Sequence, residues 1–392
     1  MRVLVLEPWY GGSHRRFLDG LVAHSAHEIR TVTMAARYWK WRMQGGAVTL
    51  AEKAGEMLDG GWRPDLILAT DMVNLPALLA LTRDRLAEVP VVLYLHENQL
   101  TYPLRPPEAG GQGDERDYTY AAINYLSALA ADRVVFNSAF HREEFFGALP
   151  DLLRRFPDYT HVGALPGLRA KSEVLPLGLD LAGLDAARPE AEARRAKEPG
   201  PPVLLWNHRW EYDKDPEAFF RVVNRLDDTG VRFRLILAGQ TFSEQPPAFE
   251  AGFRRYAERV LHYGYAESFA DYAALLWRAD VVASTSIHEF FGISMLEAIY
   301  CGCHPVLPNR LTYTELIPEA LHRPLLHAPV LYDSEEELFV LLRSLLGGEQ
   351  GGLPVDVLRE IPADLAWPIH APRYDALFED VAGGGVVVGR GA

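Results

Sequence analysis

The sequence predicts an α/β protein built from two doubly wound parallel-sheet domains, each Rossmann-like, facing one another across a cleft. Three observations lead there. Short apolar runs alternate with segments of helical spacing along most of the chain, the pattern of a parallel sheet covered on both faces. At 392 residues the chain exceeds what one hydrophobic core organises. Between two such series lies AARPEAEARRAKEPGPP, residues 186–202, charged, proline-rich and poor in apolar side chains, which is linker composition. Domains are therefore expected over 1–180 and 202–365, with a linker over 181–201. A helix over 366–382 has the option of crossing back to the first domain, and a glycine-rich tail over 383–392 carries no chemistry.

RVLVLEP (2–8) reads as the first strand, and Gly11 and Gly12 turn it into a helical pattern from His14 onward. DLILAT (65–70), VVLYLHEN (91–98) and RVVFNS (133–138) are further strands, separated by helical spacing such as that of 74–88. GLRAKSEVLPLGLD (167–180) closes this series. The second series runs through VLLWNHRW (203–210), RFRLILAG (232–239), VLHYGY (260–265), DVVAST (280–285) and HPVLPN (304–309). Ligands of open parallel sheets sit beyond the carboxyl ends of the strands, where loops meet helix N-termini. Polar clusters at 7–14, 96–99, 137–138, 207–214, 239–241 and 286–292 all fall at such ends.

Composition narrows the class. With 48% hydrophobic and 23% charged residues the chain is an ordinary soluble globular protein. A net charge of -14 argues against nucleic-acid binding over the whole surface and leaves room for a local basic patch. The two cysteines, Cys301 and Cys303, exclude a disulfide framework and fit a reducing compartment. With His304 they lie too close in sequence to surround one metal ion, so packing is the better reading and no metal is expected. MRVLVLEPWY opens a strand rather than a signal peptide, and no apolar run approaches ~18 residues, so a cytoplasmic protein without membrane contact is expected.

The stretch DVVASTSIHEFFGISMLEAIYCGCHPVLP, residues 280–308, reads as strand, loop, short helix and strand, with Glu289 and Glu297 bracketing Gly292. Free backbone N–H groups and a helix dipole make such a turn a phosphate site. The eight-residue spacing puts the carboxylates on the order of 10 Å apart, a span for a sugar-phosphate rather than for a shared proton. A solvated acidic helix end gives the same pattern. In NHRWEYDKDPEAFF, residues 207–220, Asp215 and Pro216 have the chemistry of N-cap and first helical position. Arg209 and Lys214 at that strand end suit a diphosphate. The competing reading is a surface Arg and Lys paired with Glu211 and Asp213. Selection of the donor base would fall to loops near Gly239, Gly264 and Tyr265.

On the other series, LHENQL places His96, Glu97, Asn98 and Gln99 at a strand end, where a histidine can bond a sugar hydroxyl or move a proton, or be structural. ARYWKWRM interleaves Arg37, Lys40 and Arg42 with Tyr38, Trp39 and Trp41. Cations alternating with aromatics grip phosphates and stack on bases, although aromatics near a sheet edge are also ordinary core. His14, Arg15 and Arg16 extend that patch.

The acid pair with its glycine, the Arg209 and Lys214 pair and the two sheet domains resemble a retaining glycosyltransferase of the GT-B type. EPWYGGSHRRF, RYWKWR, YLHENQLTYP, VVFNSAFHREEF, HRWEYDKDPEAFF and STSIHEFFGISMLEAIYCGCHPV together resemble the tRNA-queuosine mannosyltransferase family. The resemblance implies transfer of mannose from GDP-mannose to the cyclopentenediol of queuosine in a tRNA anticodon. It implies that Arg209 and Lys214 hold the diphosphate, Glu297 the ribose hydroxyls and Glu289 the donor sugar. Amides of Phe290, Phe291 and Gly292 would complete the phosphate contacts. His96 would face donor sugar and acceptor, and Gly11 and Gly12 would let the N-terminal loop approach closely. No cofactor is implied beyond the nucleotide sugar as co-substrate, and no bound metal.

Two other readings remain at this stage. The same enzyme could serve a small-molecule, lipid-linked or protein acceptor, or the chain could be a silent nucleotide-sugar binding module. Clustering of Arg15, Arg16, Arg37, Lys40 and Arg42 on one positive surface is the feature that favours tRNA.

Overall fold

A computed structural model describes residues 1–104, 115–188, 200–240 and 246–384; Thr241, most of the expected linker and the end of the tail lie outside it. The chain forms two compact units.

The first unit comprises the described residues up to Gly178 and those from Trp367 onward. Its strands β1 (Arg2–Tyr10), β2 (Glu28–Ala35), β3 (Leu66–Thr70), β4 (Val91–Leu95), β5 (Arg133–Phe136) and β6 (Ser172–Val174) form one parallel sheet in the order β2-β1-β3-β4-β5-β6. The interior strands β3 and β4 are buried along their whole length, as strands covered by helices on both faces must be. The edge strand β2, EIRTVTMA, is the one the sequence reading passed over, because its residues are mostly half-buried or exposed. Helices α1 (Gly12–His24) and α2 (Trp39–Asp59) follow the first two strands. The helix Trp367–Ala382 belongs to this unit. A Cβ at Gly20 or Gly178 would stand 2.0 or 2.4 Å from the Trp367 indole, so both glycines exist to seat that ring. Arg133 donates to Asp380 at 2.7 Å and Ala26 N to Asp375 at 2.9 Å, fastening the rest of the helix.

The second unit carries β7 (Val203–Asn207), β8 (Arg234–Ala238), β9 (Val260–Gly264), β10 (Val281–Ala283), β11 (His304–Pro308) and β12 (Leu331–Tyr332). They form a parallel sheet in the order β12-β11-β10-β7-β8-β9. Trp210 stacks on Phe249 with ring centroids 4.0 Å apart, in a core that also holds Trp206 and Phe219. The stretch Leu181–Ala186, expected at the start of the linker, is instead a helix capped by Asp180. It is tied into this unit: Trp277 donates to Leu184 O at 2.8 Å, and Arg359 grips both Asp185 oxygens at 2.8 and 2.9 Å.

Candidate functional site

Beyond β7 the chain makes a short turn, Tyr212–Lys214, and reaches Asp215 in the left-handed region at φ +47°. Asp215 caps the helix Pro216–Asp228, its carboxylate accepting from Ala218 N at 3.0 Å, which is the start the sequence indicates. Thr285, just after β10, donates its hydroxyl to the carbonyls of Lys214 and Asp215 at 2.8 and 2.9 Å. Ile287 N donates to Asp213 O at 2.9 Å. These bonds hold the turn after β7 against the loop after β10, so residues about 75 apart in sequence share one site.

Lys214 is the centre of that site and is only 4% exposed. Its Nζ lies 3.0 Å from Asp213 and 3.3 Å from Glu289 Oε2, and donates to His288 O at 2.6 Å. Arg209, by contrast, is about two-fifths exposed, 3.2 Å from Glu211 and 3.8 Å from Asp213. The surface-pair reading thus named partners that are present and misjudged the burial: Lys214 and Asp213 are interior. Burial works against the charge of Asp213, but Lys214 and Arg209 outweigh it and hold the carboxyl below its ordinary range. Glu289 behaves alike, burial opposing its ionisation while the Lys214 ammonium, with Arg209 adding to it, favours it. Burial drives His208 down to about 3 and His288 to about 4, with Lys214 adding to the effect, so both are neutral. Three carboxylates therefore face two cations. At rest Lys214 is paired with Asp213 and Glu289, and Arg209 with Glu211.

Glu289 lies before Gly292, which adopts φ +83° and opens the eight-residue helix Ile293–Tyr300. The Phe291 amide points at Glu289 Oε1 from 3.5 Å, and Phe290 and Phe291 are buried, the Phe290 ring edge-on to His288 with centroids 4.4 Å apart. Glu297 sits in that helix, 2% exposed, and accepts a hydrogen bond from Tyr272 at 2.7 Å. Tyr272 in turn accepts from Asn207 at 2.9 Å. Asn207 and Tyr272 were not singled out from sequence as a pair; only the strand-end position of Asn207 pointed to it. Gly239 and Gly264 meet at the ends of β8 and β9, Gly239 N donating to Gly264 O at 3.0 Å. A Cβ on Gly239 would fall 1.9 Å from His208 O. Gly264 adopts φ +111° with open space where a side chain would be, next to an exposed Tyr265.

In the first unit the ends of β1, β3 and β4 bring together Glu7, Asp71, His96 and, from α1, His14. Both Glu7 and Asp71 are buried; Glu7 opens the polar cluster at 7–14 that the topology rule picked out, whereas Asp71, just past β3, lay in no expected cluster. His14 Nδ1 lies 3.1 Å from Glu7 Oε2, and its ring packs against His96 with centroids 3.9 Å apart and planes tilted by 31°. Burial alone would lower the His14 pKa, but the Glu7 carboxylate raises it, to about 9, with help from Asp71 and Glu97. His96 is pushed well down by burial and by His14. Neither of its ring nitrogens has a hydrogen-bond partner among the described residues, though it is only 7% exposed. Its backbone is fixed instead, His96 N donating to Asp71 at 2.9 Å and Asn137 Nδ2 to His96 O at 2.9 Å. A buried neutral imidazole with both nitrogens open is a ready partner for a ligand hydroxyl. Glu7, His14 and His96 also keep their ligating atoms within 4.8 Å of one another, an arrangement accounted for by the Glu7–His14 pair and the ring contact.

Around this cluster, Gly11 precedes α1 with Ala36 against it, and Gly12 adopts φ +53° with nothing near its Cβ position. Asn98 accepts turn-forming bonds from Leu100 N and Thr101 N at its Oδ1, both 3.0 Å, which shapes the loop, while its buried Nδ2 has no partner among the described residues; Gln99 donates to Glu97 at 3.0 Å. The basic-aromatic segment divides. Trp39 turns inward against Tyr120 at 5.0 Å, and Arg42 donates to Ala35 O at 3.1 Å. Arg37, Tyr38, Lys40 and Trp41 are exposed. Arg15 is paired with Asp19 at 3.3 Å, and Arg16 is half-buried. Cys301 and Cys303 are buried packing residues, and His304 accepts from Leu353 N at 3.0 Å.

Residues 2–179 match the family described as tRNA-queuosine alpha-mannosyltransferase N-terminal, and residues 187–329 match the glycosyl transferases group 1 family. The tRNA-queuosine alpha-mannosyltransferase of Drosophila melanogaster is 31% identical over 320 residues, 81% of this chain and 82% of that protein. A GDP-mannose-dependent alpha-(1-6)-phosphatidylinositol dimannoside mannosyltransferase of Mycobacterium tuberculosis is 26% identical over 81% of this chain and 82% of its own length. Among solved structures, sucrose-phosphate synthase from Thermosynechococcus elongatus superposes with a TM-score of 0.70 at 15% identity, covering 98% of this chain and 100% of that one. Anabaena HepE in complex with UDP gives a TM-score of 0.64 at 15% identity, with the same coverage of 98% and 100%. The fold is GT-B.

Proposed function

The chain belongs to the tRNA-queuosine alpha-mannosyltransferase family and is a glycosyltransferase, and from that premise we propose that it moves mannose from GDP-mannose onto the cyclopentenediol of queuosine in tRNA. The observation that carries the acceptor is the match of residues 2–179, the first unit apart from its C-terminal helix, to the queuosine family; residues 187–329 of the second unit match a general sugar-transferase family. The donor rests on the names of the Drosophila and mycobacterial relatives.

In this reading the diphosphate enters beside Arg209 and Lys214 and takes the Lys214 ammonium from Glu289. The released Glu289 carboxylate, 3.3 Å away at rest, then accepts from donor-sugar hydroxyls. Amides from Phe290 to Gly292 and the helix behind them meet phosphate oxygens. Glu297, oriented by Tyr272, accepts from the ribose hydroxyls, and the loops at Gly239 and Gly264 take the base. Charge compensation of the leaving diphosphate is the main rate term and needs no metal ion. The C1–O bond to phosphate breaks, the acceptor oxygen bonds C1 on the same face, and the acceptor proton passes to the departing phosphate oxygen. In the first unit, His96 offers its open ring nitrogens to an acceptor hydroxyl, and Glu97, Asn98 and Gln99 shape that loop. Arg37, Lys40 and Trp41 with Arg15 and Arg16 contact tRNA, and a tRNA acceptor places the reaction in the cytoplasm.

The test is mass spectrometry of queuosine-containing tRNA incubated with enzyme and GDP-mannose, UDP-glucose or UDP-galactose, with and without EDTA. The expected result is a hexose added to queuosine from GDP-mannose alone, unaffected by EDTA. Transfer to a phosphoinositide in a parallel arm, with none to tRNA, would replace the acceptor.

A further inference from the structure

We propose that Tyr38 and Trp41 form a stacking platform for unpaired RNA bases, a proposal that rests on the tRNA acceptor reading and gives it a contact. The start of α2 sorts the aromatic residues by helical phase. Trp39 packs inward on Tyr120, while Trp41 is 61% exposed and Tyr38, just before the helix, is 77% exposed. Neither the Tyr38 hydroxyl nor the Trp41 indole N–H has a hydrogen-bond partner among the described residues.

Two backbone features keep these rings where they are. Tyr38 occupies the left-handed region at φ +55° and ψ +57°, a conformation rare and costly for an aromatic residue. Gly45 stands inside α2, where glycine is disfavoured, and a Cβ there would come within 2.8 Å of the Trp41 ring. The indole therefore lies against the helix at Gly45 while remaining 61% exposed. A protein that merely needed a soluble helix would place alanine at Gly45 and a polar residue at Trp41.

Charge selects the partner. In a chain of net charge -14, no carboxylate occurs in sequence between Glu28 and Glu52, whereas Arg37, Lys40 and Arg42 do. Arg37 and Lys40 flank the two rings and are exposed, and Asp117 is the acid that faces Lys40 from the neighbouring helix. Flat aromatic faces between cations match single-stranded nucleic acid, whose bases stack while its phosphates are neutralised. An apolar peptide would gain nothing from the cations.

The experiment measures binding of a fluorescently labelled, unmodified anticodon stem-loop RNA to the full chain across a salt series, alongside mannose transfer to queuosine-tRNA. Trp41→Ala and Tyr38→Leu are expected to weaken binding roughly five- to 150-fold with the salt slope unchanged, and Tyr38→Phe to keep wild-type affinity. Arg37→Ala and Lys40→Ala should each lower the slope by about one. Gly45→Ala should raise the melting temperature and still weaken binding, because it displaces the ring without harming the helix. If wild type transfers mannose to tRNA but Trp41→Ala and Tyr38→Leu bind the stem-loop as wild type does, the platform is overturned and the acceptor reading stands. If binding depends on both rings but no transfer to tRNA occurs, the platform stands and the acceptor reading falls. Absence of binding by wild type overturns the platform.

Discussion

The ammonium of Lys214 lies 3.3 Å from Oε2 of Glu289 and 3.0 Å from the fully buried Asp213. Lys214 thus answers for two carboxylates before any ligand arrives, and its structural and binding roles must be separated. Lys214→Ala leaves Asp213 charged and buried, and should destabilise the second unit by about 3–5 kcal/mol. The double variant Lys214→Ala/Asp213→Asn should recover most of that loss in denaturant melts. It should still bind GDP on the order of ten- to a hundredfold more weakly in calorimetry, because a charge-assisted contact to phosphate is gone. GDP affinity equal to wild type in the double variant would remove Lys214 from the phosphate site.

Glu289→Gln tests the release step. The amide is isosteric and keeps an oxygen toward Phe291 N, but it neither pairs with Lys214 at rest nor carries charge to a developing oxocarbenium-like sugar. Turnover should fall roughly a hundredfold, the scale of one preorganised electrostatic contact. GDP affinity should hold or tighten, since the competitor for Lys214 has lost its charge. Loss of GDP binding with turnover preserved among bound molecules would contradict this division of labour.

Tyr272→Phe probes the support of Glu297. The hydroxyl donates to Glu297 at 2.7 Å and accepts from Asn207 at 2.9 Å, so its removal loosens a buried carboxylate without touching it directly. KM for the nucleotide sugar should rise about tenfold, with kcat little changed, as expected when binding shared by ground and transition states is lost. A fall in kcat at constant KM would instead place Glu297 near the reacting carbon.

What the sequence made legible follows from range. The longer buried strands announced themselves as apolar runs, and Asp215 with Pro216 marked a helix start, because those signals are local; the two-residue buried strand β12 was too short to give one. Edge strand β2 did not, since one side of it faces solvent and its pattern is mixed. Burial of Lys214 was invisible because Glu211 and Asp213 beside it in sequence suggest a solvated pair, whereas the loop after β10, about 75 residues on, encloses it. The division of Trp39 from Trp41 became readable only once the helix start at Trp39 set the phase that aligns Trp39 with the buried Met43. Asp71 and Tyr272 carried no motif, and only topology brings them to His96 and Glu297.

Glu7 supplies a pH signature for the first unit. His14 normally titrates near 6.5, and in the folded protein Glu7, Asp71 and Glu97 overcome burial to raise it to about 9. A base whose folded value is raised stabilises fully below its unfolded value and loses that contribution as pH rises through the folded one. The wild-type melting temperature should therefore fall between pH 6.5 and about 9, by an amount set by on the order of 3 kcal/mol. Asp71, raised by burial and by Glu97 and Glu7 despite His14, contributes in the same direction at lower pH. Glu7→Gln keeps an oxygen for Trp9 N, which now donates at 2.7 Å, but removes the charge that holds the His14 proton. Burial then dominates and His14 becomes neutral, so the variant should melt lower at pH 6.5 and show little further loss up to pH 9. Neutral His14 would also relieve the repulsion that depresses His96, moving any acid limb of the transfer reaction governed by His96 toward higher pH. Parallel melting profiles for wild type and Glu7→Gln across this range, with no movement of that limb, would show that the pair carries no proton-linked stability.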